Sequence, residues 1–495
     1  MAIAHDPFEL PKLRSSFILE NDTEFLENDN VAEFFDVKFC PYQPLDAAPV
    51  FAAISKKHEE ASACCCTWTK DPETGAPYLC IGGVDAKVKI YDVVNGKLYR
   101  ATEVFVHPPN PYISNSETYA KQDVNDLATS PADPCIIASA SGDTSIRVWS
   151  LDPVHANRPC LVILSGEGHS WDLLSLAFHD TGRYLLSAGH DQVINLWDHR
   201  LVGSAYVHVH HGRMANKESV AFYGDCIISR ACHDNVISLW RIEGFSSSNP
   251  PPAESEAPVA QTTIPSNCEE ASRLTLSAFV PTVSPQCPSQ YTTLLQFATP
   301  NCGPQFFMRF KLHFVPDQHP VLAFCNAGGN VFFWDFERLV AYREFMEAYK
   351  DPGRDKSKQL PHPSWLRPVK ARPKQETGKG RHGGGDKDIP STFKEDAIRL
   401  SEEIDGYNAE TLETWASRYS TGDPHEPLKA HKTESSSATF VGRQTAWSPG
   451  GEWCVVVGSS NQALILQRWA NKGSTSRASA SASVPPSAPA QNSTA

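Results

Sequence analysis

Short runs of alternating apolar and polar residues, separated by polar turns, recur along this chain. The clearest stretch is "GHSWDLLSLAFHDTGRYLLSAGHDQVINLWDH", residues 168–199. "DLLSLAFH" alternates and stops at "DTGR"; "YLLSAG" is a buried run; "HDQV" turns; "INLWD" closes the unit. A period of two puts successive side chains on opposite faces of a strand, whereas a helix repeats about every 3.6 residues. Runs this short, bounded by Gly, Asp and Asn, predict antiparallel strands joined by tight turns. Four short strands in roughly 40 residues, opening on Gly-His and closing on Trp-Asp, form the signature of a WD repeat, one blade of a propeller. A buried indole N–H and imidazole need partners. His169, Ser187, Asp191 and Trp197 are placed to form one hydrogen-bonded chain inside the blade.

The punctuation recurs. Residues 123–149 place Ser139, Asp143 and Trp149 in the same order, and residues 219–240 place Ser229, Asp234 and Trp240. Residues 64–92 keep Asp85 at the turn and put Tyr91 where Trp is expected. Weaker copies cover 307–335 and 443–469, and a degenerate unit, "EFFDVKFCPYQPLDAAPVFAAIS", covers 33–55. The expected fold is therefore all-β, a seven-bladed WD-repeat β-propeller. One unit is short. Only "KKHEEASA" separates "VFAAIS" from "CCCTW", too little for two more strands with their turns. The first blade is truncated, or the chain lacks a piece of it, and nothing in the N-terminal stretch marks a substitute strand.

The predicted plan is an N-terminal extension (1–32), the propeller (33–469) and a disordered Ser/Ala/Pro tail (470–495). Two loops interrupt the propeller: a Ser/Pro-rich one at 244–289, and 351–440, a basic linker (351–392) followed by a predicted helix at 393–418. The formal net charge of -13 gives no support for a DNA-binding surface over the whole protein and suits a partner with basic tails. Within it, 351–392 reads as a solvated linker, with a weak, salt-sensitive nucleic-acid contact as the sharper alternative. No apolar run suggests a leader peptide or a membrane span. The 14 cysteines form no C-x-x-C pair, so reduced thiols of a cytosolic or nuclear protein are expected. His208, His210 and His211 cluster in "HVHHGR" without an acidic or Cys partner at metal-ligand spacing. There is no nucleophile elbow or phosphate loop. No catalytic residue, metal or cofactor is expected, and the function expected is recognition.

One motif stands out against this background. "QFFMRF" (305–310) doubles a phenylalanine. If it is a strand, one ring of Phe306 and Phe307 feeds the core and the other faces the channel. It belongs to a set more particular than a generic WD unit: "CTWT" (66–69), "YGDCIISRACHDNVISLW" (223–240), "FFMRFKLHF" (306–314) before "NVFFWD" (330–335), and "GRQTAWS" (442–448). With 168–198, these make the chain resemble the embryonic ectoderm development / extra sex combs family, the WD-repeat subunit of Polycomb repressive complex 2. The resemblance covers most of 33–469 outside the loops. It implies a nuclear, non-catalytic scaffold of a histone H3 lysine methyltransferase complex, working alongside other Polycomb subunits. One face would hold the SET-domain catalytic subunit. The other would read trimethyl-lysine on the histone H3 tail and stimulate methylation and gene silencing. The competing reading is a generic WD-repeat adaptor, such as a ubiquitin-ligase substrate receptor, which has no reason for an aromatic–arginine cluster at one channel mouth.

The family's methyl-lysine cage maps onto Phe35, Phe306 and Phe307, with Arg443 as the implied contact to the histone backbone. Its fourth position falls on Cys64, a departure, because a thiol has no π-face. A quaternary ammonium donates no hydrogen bond, so it is held by cation–π attraction and methyl packing, roughly 0.5–2 kcal/mol per ring. Losing one ring costs about 1 kcal/mol or more, near tenfold in affinity. The resemblance leaves three outcomes: weak reading, a nearby aromatic such as Phe34 moving in, or a scaffold role alone.

Overall fold

The computed structural model describes residues 6–19, 33–44, 47–56, 63–100, 105–107, 123–165, 168–200, 205–209, 217–257, 275–280, 290–355, 358, 360, 363, 365, 407, 409–436 and 440–469. Among these, the strands pair antiparallel into seven sheets, six of four or five strands and one of two. The inner strands are Glu33–Phe39, Ala63–Lys70, Val124–Thr129, Leu173–Phe178, Lys217–Tyr223, Lys311–His313 and Gly442–Trp447. They surround a central channel with a cavity of about 590 Å³, lined in part by Lys38, Asp126, Arg309 and Gln444. The fold is an all-β WD-repeat propeller. Apolar residues of neighbouring sheets interlock, so the core is divided among the sheet interfaces. Leu186 and Ile194 of one sheet, for example, pack with Val220 and Trp240 of the next.

Among the described residues, two sheets carry a complete buried polar chain. In one, His169 Nδ1 lies 2.8 Å from Asp191, its Nε2 2.7 Å from Ser187 Oγ, and Trp197 Nε1 donates to the same Oγ at 2.7 Å. In the other, His107 meets Asp143 at 2.9 Å and Ser139 at 2.7 Å, and Trp149 donates to Ser139 at 2.8 Å. His107 escaped the sequence reading because it lacks the Gly-His signature.

The two-stranded sheet pairs Glu33–Phe39 with Phe51–Lys56. Strand Lys12–Ile18, within the segment read as an N-terminal extension, pairs instead with Gln462–Gln467 as the outermost strand of the last sheet. Leu10 is buried beside it, and Arg468 donates to the carbonyls of Glu9 (2.6 Å) and Pro7 (2.8 Å).

Both long loops leave after the third strand of a sheet, Val236–Ile242 and Asn330–Asp335, and return as the fourth, Tyr291–Ala298 and Lys432–Ser435. Antiparallel order puts both at the end of the ring where inner strands finish. Helix α1 (Phe336–Lys350), which the sequence reading missed, follows a strand directly and is capped by Asp335, whose side chain accepts from Glu337 N at 3.0 Å. Helix α2 (Ala409–Tyr419) covers the end of the predicted helix 393–418; residues 393–406 and 408 lie outside the described residues. Trp365 falls in the stretch read as a solvated linker, yet it is buried against Tyr342, Phe345, Trp415 and Tyr419. Most of 351–392, the tail 470–495, and His210 and His211 lie outside the described residues.

Candidate functional site

Six of the seven inner strands break register once, near their first residues. The breaks fall between Phe34/Asp36, Ala63/Cys65, Val124/Asp126, Leu173/Ser175, Lys217/Ser219 and Gly442/Gln444. A bulge leaves one residue unpaired and re-aims its side chain at the rim. The residues at the breaks are Phe35, Cys64, Asn125, Leu174, Glu218 and Arg443. This shared irregularity gathers three of the sequence-predicted positions, Phe35, Cys64 and Arg443, at the end of the ring where inner strands begin.

The remaining sheet supplies Phe306 and Phe307 differently. Residues 305–310 are not a strand, since the inner strand starts at Lys311. The expectation of one ring in the core and one in the channel is therefore corrected. Met308 and Phe310 enter the core, Phe306 is 40 % exposed, and Phe307 is half-buried. Phe307 has a left-handed backbone, φ 56°, which costs a bulky residue energy. Its N–H donates to Glu218 Oε2 at 2.9 Å, and buried Arg230 pairs with Glu218 and donates to Met308 O at 3.2 Å.

Phe35 and Phe307 meet edge to face, ring centroids 6.3 Å apart at 80°. Arg443 binds the Phe306 carbonyl and pairs with Glu33 at 3.1 Å, while its own carbonyl accepts from Arg309 N at 2.9 Å. Cys64 is half-buried on the neighbouring bulge. Phe34 does not move in. It packs in the core with Val37, Ala446 and Val455, on the other side of its strand. Phe306 turns away from the Phe35–Phe307 pair, its ring 5.2 Å from His233 and 6.4 Å from His190.

Beneath the mouth lies a polar layer the sequence reading did not find. Asp36 accepts from Cys66 N (2.8 Å) and Gln444 Nε2 (2.9 Å), and Asp126 accepts from Leu176 N (2.8 Å). Each carboxylate directly follows a bulge and staples its strand to the next blade. Arg309 spans the channel, 3.4 Å from Asp126 and donating to the carbonyls of Asn125 (3.0 Å) and Leu174 (2.7 Å). Burial alone would lower the Arg309 pKa, but Asp126 and Asp36 outweigh it and raise it. Burial likewise opposes ionisation of Asp36, and Lys38 and Arg309 hold its carboxyl below the ordinary value. The repeated Asp in "FDVKF" and "NDLAT" was the available signal.

This geometry defines a class: a WD-repeat propeller with an aromatic and arginine-lined channel mouth. The WD domain, G-beta repeat model matches residues 115–150 and 159–198. The chain is 42% identical over 568 residues to Polycomb protein EED of Chaetomium thermophilum, covering 93% of this chain and 96% of that one. Polycomb protein esc of Drosophila melanogaster is 25% identical over 38% of this chain and 44% of its own. Among solved structures, one described as the crystal structure of the Chaetomium thermophilum Polycomb repressive complex 2 matches with TM-score 0.74, at 42% identity over 94% of this chain and 98% of that chain. Another, of ctPRC2 in complex with H3K27me3 and H3K27M, matches with TM-score 0.75, at 41% identity over 94% and 99%. The chain belongs to the Polycomb EED family.

Proposed function

We propose that this protein is the non-catalytic, nuclear scaffold subunit of a histone H3 lysine methyltransferase complex of the Polycomb repressive type. It binds the SET-domain catalytic subunit and other Polycomb subunits, and it reads trimethyl-lysine on the histone H3 tail at the channel mouth, coupling the mark to further methylation and gene silencing. The observation that carries the reading is the edge-to-face Phe35–Phe307 pair at 6.3 Å, with Arg443 fixed beside it. Family membership and the H3K27me3 complex of the Chaetomium relative support it. Phe35 and Phe307 form the cage walls, Cys64 stands at the weakened wall, Phe306 flanks it, and Arg443 meets the peptide backbone. The two-stranded sheet is the truncated first blade of a seven-bladed ring, a reading supported by the short link between 56 and 63. The propeller accounts for 33–469 with its two inserted loops, completed by the strand Lys12–Ile18 from the segment before it, and the basic linker 351–392 adds a weak nucleic-acid contact.

The test titrates the full chain with trimethylated and unmodified H3 peptides. A preference for the methylated peptide that falls about tenfold in Phe307→Ala is expected. Equal binding of both peptides would end the reader role. Recovery of a SET-domain subunit on co-purification tests the scaffold role, and its absence would favour a generic adaptor.

A further inference from the structure

A second aromatic surface leaves the cage on the side away from Phe35. Trp171 is 54 % exposed, and Phe306 is 40 % exposed. His190 lies between them, its ring 6.4 Å from each, tilted by 37° in both pairs. His233 closes the row, edge-on to Phe306 at 5.2 Å. Burying large rings is ordinary, whereas a contiguous exposed row marks an interaction surface. The row is held rigidly: Ser170 N donates to Asp191 at 3.0 Å, and His190 N donates to the Asp172 carbonyl at 2.9 Å, on either side of Trp171. His233 sits in a left-handed turn, φ 58°.

We propose that Trp171, His190, Phe306 and His233 form a stacking platform for an arginine side chain of the peptide whose methyl-lysine occupies the cage. This rests on the cage reading above. Four observations favour that occupant. Sandwiching a planar group needs rings about 7–8 Å apart at van der Waals contact, so at 6.4 Å a ligand must lie across the outer faces, as a flat guanidinium does. Burial lowers the His190 pKa against the opposing pull of Asp191, which favours the neutral imidazole beside a cation. The chain carries a net charge of -13, so its overall field favours a positive side chain. The platform also lies beside the cage, because Phe306 directly precedes Phe307 in the chain. The row itself, two ring steps of 6.4 Å from Phe306 to Trp171, spans at most roughly four residues of extended peptide at about 3.3 Å each, so the arginine is sought within about four positions of the methyl-lysine.

The test uses the full chain and trimethyl-lysine peptides with a single arginine moved through the four positions on either side, against the same peptide with alanine throughout. Arginine at one or two adjacent positions should tighten binding about threefold to tenfold. Trp171→Ala should abolish that gain without changing affinity for the alanine peptide, and Trp171→Phe should restore most of it. No arginine gain at any position, or a gain that survives Trp171→Ala, overturns the platform. The preference for methylated over unmodified lysine is read in the same titrations. If it is present while the arginine gain fails, only the platform falls. If it is absent while arginine and Trp171 remain coupled, only the cage falls.

Discussion

Cys64 and Phe35 occupy equivalent bulges on neighbouring inner strands, so their side chains are aimed by the same backbone irregularity. What differs is the group presented, a thiol or a π-face. The frame that fixes Phe307, Glu218 with Arg230 behind it, does not involve Cys64. Restoring an aromatic there should therefore add a wall without disturbing the others. Cys64→Tyr is expected to raise affinity for a trimethyl-lysine peptide about threefold to tenfold, and to leave affinity for the unmodified peptide within about twofold. An unchanged titration would mean that the ring at this bulge does not face the ligand. The half-buried position gives the larger side chain a path to the channel mouth, where Cys65 and Cys66, fully buried on either face of the strand, have none.

At the scale of elements, the return from the second inserted loop depends on one imidazole. His431 Nδ1 accepts from Asp335 N at 2.9 Å, and Nε2 donates to Arg418 O at 3.0 Å, joining the N-cap of α1 to the end of α2. One nitrogen accepts and the other donates, so the ring is neutral. Burial, with Arg338 adding to it, holds its pKa well below 6.5. Protons therefore bind the unfolded chain before the folded one, and stability rises with pH through that window. It is constant above the unfolded value and is lost as pH falls below it, by up to about 1.4 kcal/mol per pH unit while the folded ring stays neutral. Burial also depresses His107, His199 and His313, so several groups share the acid slope. His431→Gln is expected to lower stability at neutral pH and flatten the slope between about pH 6.5 and pH 5 by about one proton. Urea unfolding at a series of pH values measures both, and an unaltered slope would remove His431 from the acid response.

For the whole molecule, what was legible in the sequence followed the two-residue period. "YLLSAG" and "INLWD" became strands because alternation and turns agree, and Trp197, Ser187 and Asp191 carried their hydrogen bonds in their spacing. The channel mouth was less legible because each bulge shifts the period by one residue, and a shift leaves no mark in composition. Phe35, Cys64 and Arg443 came from the family motif, while the placement of Glu218, Asp36 and Arg309 came from the structure alone. Helix α1 carried a signal in Asp335 and the spacing of Phe336, Leu339 and Tyr342, but went unread because it begins where a strand ends. The strand Lys12–Ile18 had no pattern to show, because nearly every residue in it is exposed and its partner lies at the other end of the chain. That strand has a consequence for the ring as a whole. The final sheet receives Lys12–Ile18 as its outermost strand, so two segments far apart in the chain are bound into one sheet. Removing residues 1–19 would leave the outer edge of Gln462–Gln467 unpaired and strip Arg468 of the Glu9 and Pro7 carbonyls. Six register pairs would go, each ladder hydrogen bond contributing about 0.5–1.5 kcal/mol net, along with burial of Leu10. The truncated chain is expected to show a lower Tm and fast amide exchange along Gln462–Gln467, while amides of Leu185–Ala188, on the far side of the ring, keep their protection. Unchanged exchange at 462–467 would show that the last sheet closes without the N-terminal strand.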